Sequence, residues 1–447
     1  MADSTHAISQ INVKPSNVLD TIRKYMLVDG FPIVVDLENS SGTRLKDKAD
    51  GKEYLDFFQF FASMPLGFNH PRLFDDEFKE TLMAAAANKP SNSDFYAQQM
   101  ANFVEAMGRY AIPDEMTNIF LIEGGALAVE NALKSAFDWK VQKNFKKGHK
   151  TELGSQIIHF REAFHGRSGY TMSLTNTDPV KVTYFPKFDW PRVTNPKITF
   201  PLEDHLDEVI ASEEKAKREI KDAIAKHGDD IAGLIIEPIQ GEGGDNHFRP
   251  EFFKELRRLA DKYEFMLIYD EVQSGMGITG KMWAFEHFEV EPDVLAFGKK
   301  SQVCGIIAGK RVEEVEKHVF EESSRINSTF GGNLVDMVRA TRYLEIIEED
   351  NLLEHTAKMG EKMKSGLETV AEESKGMMTN VRGTGLMIAY DLPNQGKRDE
   401  MIEKMYANGL KALQSGNRSV RFRGMLDTPE EIIDKAMEVV AKSIPIK

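Results

Sequence analysis

Two short apolar segments, each followed by charged residues, constrain the fold of this chain most strongly. The first, residues 265–269, ends in Asp270, and the second, residues 294–297, is followed by a glycine and then by Lys299 and Lys300. Parallel strands that are buried on both faces read as continuous apolar runs, so both segments predict such strands. Ligands of open α/β sheets bind beyond the carboxyl ends of the strands. The chain is therefore predicted to place an acid and a lysine at one ligand-binding edge of a sheet.

An acid and a lysine at neighbouring strand ends match the needs of pyridoxal phosphate chemistry. The lysine forms a Schiff base with that cofactor, and the acid pairs with the pyridinium nitrogen. The same residues also fit a simpler explanation, in which Asp270 caps a helix beside two solvated lysines. On these two segments alone, both interpretations are equally supported, so the rest of the chain has to discriminate between them.

Apolar runs and helical segments alternate through the middle of the chain. Further strands are predicted at residues 118–122, 156–160 and 233–238, with helices at about 126–147 and 201–228. This alternation is typical of βαβ units and a parallel sheet, which indicates an α/β fold.

Different patterns flank this region on both sides. An Asp-Gly turn at residues 50–51 lies between two alternating segments and predicts an antiparallel hairpin. We therefore expect an N-terminal segment, residues 1–75, that contributes to a small domain, and a large domain spanning residues 76–332. A linking helix and a C-terminal part of the small domain are expected at residues 333–447. The two terminal segments together predict a smaller α+β domain.

The overall composition excludes several classes of protein. A net charge of −14 over 447 residues argues against binding to nucleic acid, which requires a basic patch. No apolar run approaches the roughly 20 residues that span a bilayer, and residues 1–15 lack a signal-peptide pattern. Cys304 is the single cysteine, so no intrachain disulfide is possible and a cytoplasmic location is expected. The histidines, carboxylates and cysteine show no metal-ligand spacing, so we expect no metal.

A glycine-rich turn precedes the helix at about residue 126. Gly125 and Ala126 would let the backbone approach a ligand, and the free N–H groups of a helix start favour a phosphate. Taken alone, however, this turn favours small residues that merely pack a helix against a sheet. Phosphate binding at this turn is therefore a hypothesis that needs independent support.

Two further loops carry residues suited to a planar or charged ligand. Phe164 can stack on a planar cofactor and Arg167 can hold a carboxylate through two hydrogen bonds, although the aromatic ring can equally fill the core. His165, between them, is not predicted to be catalytic. Glu237 closes a predicted strand, and Glu242 follows among glycines, where a ligand or an arginine partner is at least as well supported as a packing role.

The last third of the chain adds two weaker candidates. Asn327 and Thr329 lie in a glycine-rich turn that either contacts a phosphate or only caps the next helix. Arg421 and Arg423 alternate with Phe422 along one predicted strand, so one is expected to face a site while the other lies at the surface.

Taken in order, these segments resemble the class III (omega) aminotransferases of fold type I over nearly the whole chain. The most specific motif is residues 270–275 followed by Pro292-Asp293 and Gly298-Lys299. In that family the Schiff-base lysine lies six residues after the aspartate of the Pro-Asp pair, which is Lys299, and Lys300 has no assigned role. The resemblance implies a large domain with a mostly parallel seven-stranded sheet flanked by helices, and pyridoxal 5'-phosphate as cofactor.

The resemblance also implies roles for individual residues. Lys299 and Asp270 would be catalytic, Val272 would lie on the ring face opposite Phe164, and Thr329 would reach the phosphate from a neighbouring subunit. A homodimer is therefore expected. The residues predicted to contact the cofactor are Gly125, Ala126, Phe164, Glu237, Asp270, Val272, Gln273, Lys299 and Thr329.

Within the family, the chain most resembles the enzymes that move the ε-amino group of L-lysine to 2-oxoglutarate. The products would be L-glutamate and 2-aminoadipate 6-semialdehyde, which cyclises to piperideine-6-carboxylate. The supporting segments include residues 89–94, 123–131 and 298–305. The 4-aminobutyrate and ornithine aminotransferases are alternatives within the class, and a racemase or aminomutase of the same fold is an alternative of a different class.

The two substrates carry their carboxylates at different distances from the reacting carbon. Arg167 would hold the distal carboxylate in both half-reactions. Arg421 would pair with Glu242 while lysine is bound and would be released for the α-carboxylate of 2-oxoglutarate. Asn327 is expected to help hold the substrate.

Overall fold

The protein is described by a computed structural model that covers residues 11–445. The first ten residues of the predicted N-terminal segment and the last two of the C-terminal segment lie outside the described residues. Its strands are β1 (Arg44–Lys46), β2 (Glu53–Asp56), β3 (Met116–Ile122), β4 (Gln156–Phe160), β5 (Arg192–Val193), β6 (Ile231–Ile236), β7 (Met266–Asp270), β8 (Val294–Phe297), β9 (Cys304–Gly309), β10 (Thr379–Thr384), β11 (Met387–Asp391), β12 (Leu410–Lys411), β13 (Leu413–Ser415) and β14 (Ser419–Arg423).

The helices surround these strands and connect them. They are α1 (Val18–Arg23), α2 (Gln59–Ala62), α3 (Asp76–Ala87), α4 (Gln98–Tyr110), α5 (Gly125–Lys146), α6 (Thr171–Leu174), α7 (Leu202–His227), α8 (Pro250–Tyr263), α9 (Leu334–Glu349), α10 (Leu352–Glu373), α11 (Gln395–Ala407) and α12 (Glu430–Ser443). Outside residues 1–10 and 446–447, no helix combines the length and the apolar composition that crossing a membrane requires.

A seven-stranded sheet in the order β3-β9-β8-β7-β6-β4-β5 forms the centre of the molecule. All neighbouring strands from β8 to β5 are parallel, and β9 alone runs against its neighbours β3 and β8. Every residue of β6, β7 and β8 is buried, because helices cover both faces of the sheet. The α/β fold and the mostly parallel seven-stranded sheet predicted from the sequence are confirmed.

Two strands of this sheet were not predicted. The short β5 has only two residues, and β9 is an apolar run bracketed by glycines that gives no clear strand signal. Gly305 has to be a glycine, because a Cβ there would lie 2.3 Å from the carbonyl oxygen of Phe120 on the paired strand. The residue that weakens the strand pattern is therefore the one that permits the close pairing.

Two smaller sheets bring the ends of the chain together. The antiparallel hairpin β1-β2 pairs with β12 in parallel, which joins the N-terminal segment to residues far along the chain. The strands β10-β11-β14-β13 form an antiparallel four-stranded sheet. The predicted smaller α+β unit built from both terminal segments is present, whereas its proposed boundaries at residues 75 and 332 stay predictions.

Candidate active site

A cavity of about 690 Å³ opens where the parallel strands end. Its walls come from the loops after β3, β4, β6, β7 and β8, which is where ligands of such sheets bind. Eight of the nine residues predicted to contact the cofactor line it, namely Gly125, Ala126, Phe164, Glu237, Asp270, Val272, Gln273 and Lys299. Residues separated by more than 170 positions are thus brought to one site by strand order alone.

Lys299 lies two residues after the end of β8 and contributes the only lysine side chain to the cavity lining within residues 11–445. The backbone turns sharply there, with a φ of 55° at Lys299. Burial and the positive charges of Arg421 and Arg423 lower the pKa of Lys299 to about 8. A substantial fraction of this amine is therefore neutral near pH 7–8, unlike an ordinary lysine with a pKa of about 10.4.

Lys300 points away from the cavity and has a different role. Its Nζ donates to the backbone oxygen of Gln273 at 2.6 Å and lies 3.5 Å from that of Ala62. Burial lowers the pKa of Lys300 well below its usual value, with the charge of Lys299 adding to the effect. Lys300 is therefore a buried link between the loop after β7 and α2, which supplies the role that the sequence left open.

Asp270 ends β7 and is held by a residue that was not predicted to take part. Nδ1 of His165 donates to Oδ2 of Asp270 at 2.8 Å, and the backbone N–H of Val272 donates to Oδ1 at 3.1 Å. Asp270 is 5% exposed and His165 is 2% exposed, so the pair is shielded from water. Its position in a buried, oriented pair suits Asp270 to hold a protonated ring nitrogen.

The start of α5 provides a cradle of small residues. A Cβ on Gly125 would lie 2.9 Å from Cγ1 of Val272, and one on Gly166 would lie 2.5 Å from Cβ of Ala126. Both glycines are therefore required by close packing around the cavity. The first N–H groups of a helix have no partner within the helix, so this turn is suited to a phosphate.

Glu237 lines the cavity and also holds two loops in place. Its Oε1 accepts from the backbone N–H of Phe164 and its Oε2 from that of Gly241, both at 3.0 Å. Burial raises the pKa of Glu237 to about 7, and the negative charge of Asp270 contributes. Glu237 thus fixes the position of the loop that carries the aromatic side chain of Phe164.

Glu242 lies between two cations beside the cavity. Nη2 of Arg421 donates to its Oε2 at 2.8 Å, and Nζ of Lys181 donates to its Oε1 at 2.7 Å. Burial alone would raise the pKa of Glu242, but Arg421 and Lys181 together hold it below the usual value. The arginine partner predicted for Glu242 is therefore present, and Lys181 is a second partner that was not predicted.

The expectation that one of the two arginines of β14 lies at the surface is wrong. Arg421 is 3% exposed and Arg423 is 1% exposed, because β14 is an inner strand of its sheet and residues two apart share one face. Nη1 and Nη2 of Arg423 donate to Oδ2 and Oδ1 of Asp245, both at 2.6 Å, and Nη2 also donates to Oε1 of Gln273 at 2.6 Å. Arg423 thus fixes Gln273, whereas Arg421 pairs with Glu242.

Five predicted residues lie at the margin of the cavity or outside it, and two of them, Glu242 and Arg421, are absent from its lining. Arg167 lines the cavity with an exposed side chain. Asn327 and Thr329 are exposed and do not line the cavity of their own chain. The backbone oxygen of Thr329 accepts from the hydroxyl of Ser91 at 2.6 Å, which fixes the turn but leaves its side chain facing outward.

The residues that the sequence missed share one property. His165, Lys181 and Asp245 act through partners that are distant in the sequence, such as the 105 residues between His165 and Asp270. Asp245 follows two glycines, and the sequence pointed to it only as a member of the glycine-rich loop that includes Glu242. Among residues 11–445, no group of three or more His, Cys, Asp or Glu side chains is placed to hold a metal ion.

The cavity fits a phosphorylated pyridine aldehyde. A helix start at Gly125 packed closely against the loop of Gly166 suits the phosphate, a buried carboxylate suits the ring nitrogen, and an amine of lowered pKa suits the aldehyde. These features lie at the strand ends of a seven-stranded sheet with a smaller α+β unit beside it. Together the fold and the cavity define a pyridoxal-phosphate-dependent enzyme of fold type I.

Comparison with known proteins identifies the family. Residues 25–444 match the model of the family described as aminotransferase class-III. An L-lysine-epsilon aminotransferase of Mycobacterium tuberculosis (strain ATCC 25618 / H37Rv) is 48% identical over 433 residues, which are 97% of this chain and 96% of the relative. One of Streptomyces clavuligerus is 46% identical over 435 residues, or 97% of this chain and 95% of the relative.

A solved structure supports the same assignment. The lysine aminotransferase from M. tuberculosis in the internal aldimine form matches with a TM-score of 0.95 and 47% identity, covering 97% of this chain and 99% of that one. The chain belongs to the class III aminotransferases, and its cofactor is pyridoxal 5'-phosphate.

Proposed function

We propose that this enzyme transfers the ε-amino group of L-lysine to 2-oxoglutarate, giving L-glutamate and 2-aminoadipate 6-semialdehyde. The observation that carries the proposal is the ion pair of Arg421 with Glu242 beside Lys299. In this ion pair, Glu242 neutralises the buried Arg421. This suits a donor such as lysine, whose reacting ε-amine has no carboxylate on the neighbouring carbon to pair with Arg421. The similarity to relatives named L-lysine-epsilon aminotransferases, at 46–48% identity over nearly the whole chain, supports the same substrate.

Lys299 and Asp270 are the proposed catalytic residues. When bound, pyridoxal 5'-phosphate supplies an electron sink for the bond that is broken at the substrate carbon. Asp270, oriented by His165, holds the proton of the ring nitrogen. Nζ of Lys299 would accept the proton from the substrate carbon and hold it for the transfer, because burial keeps this amine neutral enough to act as a base.

The proposed cofactor contacts follow from the lining of the cavity. Gly125 and Ala126 would hold the phosphate through backbone N–H groups. Phe164 and Val272 would lie on opposite faces of the ring, and Gln273 near its hydroxyl group. Glu237 would support this arrangement by holding the loop of Phe164.

The two substrate carboxylates are assigned to different arginines. Arg167, exposed at the cavity, would hold the carboxylate that lies far from the reacting carbon in both half-reactions. Arg421 would stay paired with Glu242 while lysine is bound and would turn to the α-carboxylate of 2-oxoglutarate. A buried arginine left unpaired beside the apolar stem of lysine would cost about 3–5 kcal/mol, which accounts for the acid next to it.

We also propose that the active enzyme is a homodimer in the cytoplasm. Thr329 is exposed and lies outside the cavity of its own chain, so it is free to contact the phosphate at the site of a second copy. Asn327 of the same turn would approach the substrate there. The single cysteine of the chain suits a reducing compartment.

An amine-donor screen tests the substrate proposal. The holoenzyme is incubated with 2-oxoglutarate and either L-lysine, L-ornithine or 4-aminobutyrate, and glutamate is measured. Lysine is expected to give the highest kcat/KM and a cyclic imine that reacts with 2-aminobenzaldehyde. Faster turnover of 4-aminobutyrate or ornithine would overturn the lysine assignment, and an altered amine without any glutamate would indicate a racemase or aminomutase.

A further inference from the structure

The Glu242 carboxylate is shared by two cations that differ in their surroundings. The Arg421 side chain is 3% exposed and its charge acts on Lys299, whereas the Lys181 side chain is 21% exposed. Each cation contacts a different oxygen of Glu242, at 2.8 and 2.7 Å. Either cation can therefore leave without breaking the contact of the other.

Lys181 is anchored independently of Arg421. Its Nζ donates to the hydroxyl of Thr177 at 3.2 Å and lies 5.3 Å from the centre of the Phe164 ring, a cation–π distance. It ends a short turn that begins at Pro179, where the side chain of Asp178 accepts from a backbone N–H. Two contacts besides the one with Glu242 thus keep the ammonium group in place if Arg421 moves.

We propose that Lys181 is a positioning residue that retains Glu242 whenever Arg421 turns to a substrate carboxylate. The inference rests on the proposed function, in which Arg421 alternates between two carboxylates. If Arg421 were the sole partner, its departure would leave a partly buried carboxylate unpaired, which is strongly unfavourable. With Lys181 in place, Arg421 exchanges one carboxylate for another while Glu242 stays ionised, paired and ready for its return.

This role predicts an asymmetry between the two half-reactions. In Lys181→Met, Glu242 has only Arg421 as a partner and holds it more tightly, so freeing Arg421 becomes harder. We expect the KM for 2-oxoglutarate to rise about tenfold, the factor that corresponds to about 1.4 kcal/mol. The 2-oxoglutarate half-reaction should slow more than the lysine half-reaction in single turnovers, and Lys181→Arg should restore most of the loss.

A matched control separates charge from loop conformation. Lys187 lies on the same loop and, within residues 11–445, its Nζ donates only to the backbone oxygens of Val182 and Phe185, both at 2.7 Å. Lys187→Met should therefore lower the thermal stability of the loop without producing the asymmetry. If Lys187→Met reproduces the asymmetry of Lys181→Met, Lys181 acts through loop conformation and the proposal is overturned.

A double-mutant cycle tests whether Lys181 acts through Glu242. In the Glu242→Gln background, Lys181→Met is expected to add no further loss to either half-reaction. Additive losses, or equal losses in both half-reactions of the single variant, would overturn the role of Lys181. Failure of the wild-type holoenzyme to use lysine at all would instead refute the proposed function, so the two outcomes are distinguishable.

Discussion

Lys299 and Lys300 are neighbours in the chain but have opposite tasks, and this contrast predicts different effects of their replacement. Lys299→Ala should abolish the visible absorbance of the bound cofactor that borohydride removes, because the cavity lining then lacks its amine. Lys300→Met should retain that absorbance but lower the free energy of unfolding by about 1–3 kcal/mol, because the backbone oxygen of Gln273 loses the donor that buried Lys300 provides. Absorbance and urea unfolding measure both effects, and the reverse pattern would show that the assignment is off by one residue.

Glu242 is expected to matter more for one half-reaction than for the other. Glu242→Ala leaves Arg421 unpaired beside the apolar stem of bound lysine, so the lysine half-reaction should slow more than the glutamate half-reaction. Single-turnover rates with each substrate give this ratio, and Glu242→Gln controls for the lost volume. Equal losses in both half-reactions would contradict the exchange of partners by Arg421.

The lowered pKa of Lys299 predicts how apoenzyme reconstitution depends on pH. Only a neutral amine condenses with an aldehyde, so the rate should rise with pH through a midpoint near 8, the pKa of Lys299, and then level off. Arg421→Gln removes a positive neighbour, so its midpoint should move to higher pH. Stopped-flow absorbance after mixing apoenzyme with pyridoxal 5'-phosphate measures the midpoint, and identical midpoints would show that Arg421 does not depress this pKa.

Residues whose roles follow from one local motif were predicted, and residues whose roles depend on distant partners were not. Asp270 ends one recognisable buried strand and Lys299 lies two residues after another, so their positions follow from the order of parallel strands. His165 has no such signal, because its role arises only when β4 and β7 place it 2.8 Å from Asp270. The surface location expected for one of Arg421 and Arg423 was wrong, because the sequence does not show that β14 is an inner strand.

At the scale of elements, the start of α5 depends on close packing rather than on helix propensity. A Cβ on Gly125 would lie 2.9 Å from Cγ1 of Val272, so Gly125→Ala should displace the turn and weaken cofactor binding about tenfold or more. For Gly108 in α4, an added Cβ would meet no heavy atom within 4 Å among residues 11–445, apart from its chain neighbours and the backbone of its own helix. Gly108→Ala should therefore leave cofactor affinity unchanged and stabilise the protein by about 0.5–1 kcal/mol.

Cofactor titration of both apoenzymes, followed by fluorescence or absorbance, tests this contrast. Equal affinities for the two variants would show that the tight approach of Gly125 to Val272 does not shape the phosphate cradle.

The helices and strands were predictable from the sequence where they were long and periodic, as for α5 and α7. The β9 strand was not, since the glycine that lets it pair with β3 also removes the strand signal.

At the scale of the whole molecule, the outward-facing turn at Thr329 predicts that each site is shared by two copies of the chain. In a dimer of this kind, a Lys299→Ala subunit and a Thr329→Ala subunit would complement one another. One site of the mixed dimer would combine the intact Lys299 of one subunit with the intact Thr329 of the other, and its second site would carry both defects.

Random mixing makes about half of the dimers hybrids, each with one intact site, so about a quarter of the wild-type activity should return. The two variants are denatured together, refolded and assayed for glutamate, and separately refolded variants mixed afterwards serve as the control. The yield should exceed the summed activities of the parents, because neither parental dimer contains a complete site. If Thr329 served the cavity of its own chain, every site in the mixture would lack either Lys299 or Thr329. No activity above that sum would then appear, and this result would refute the shared site.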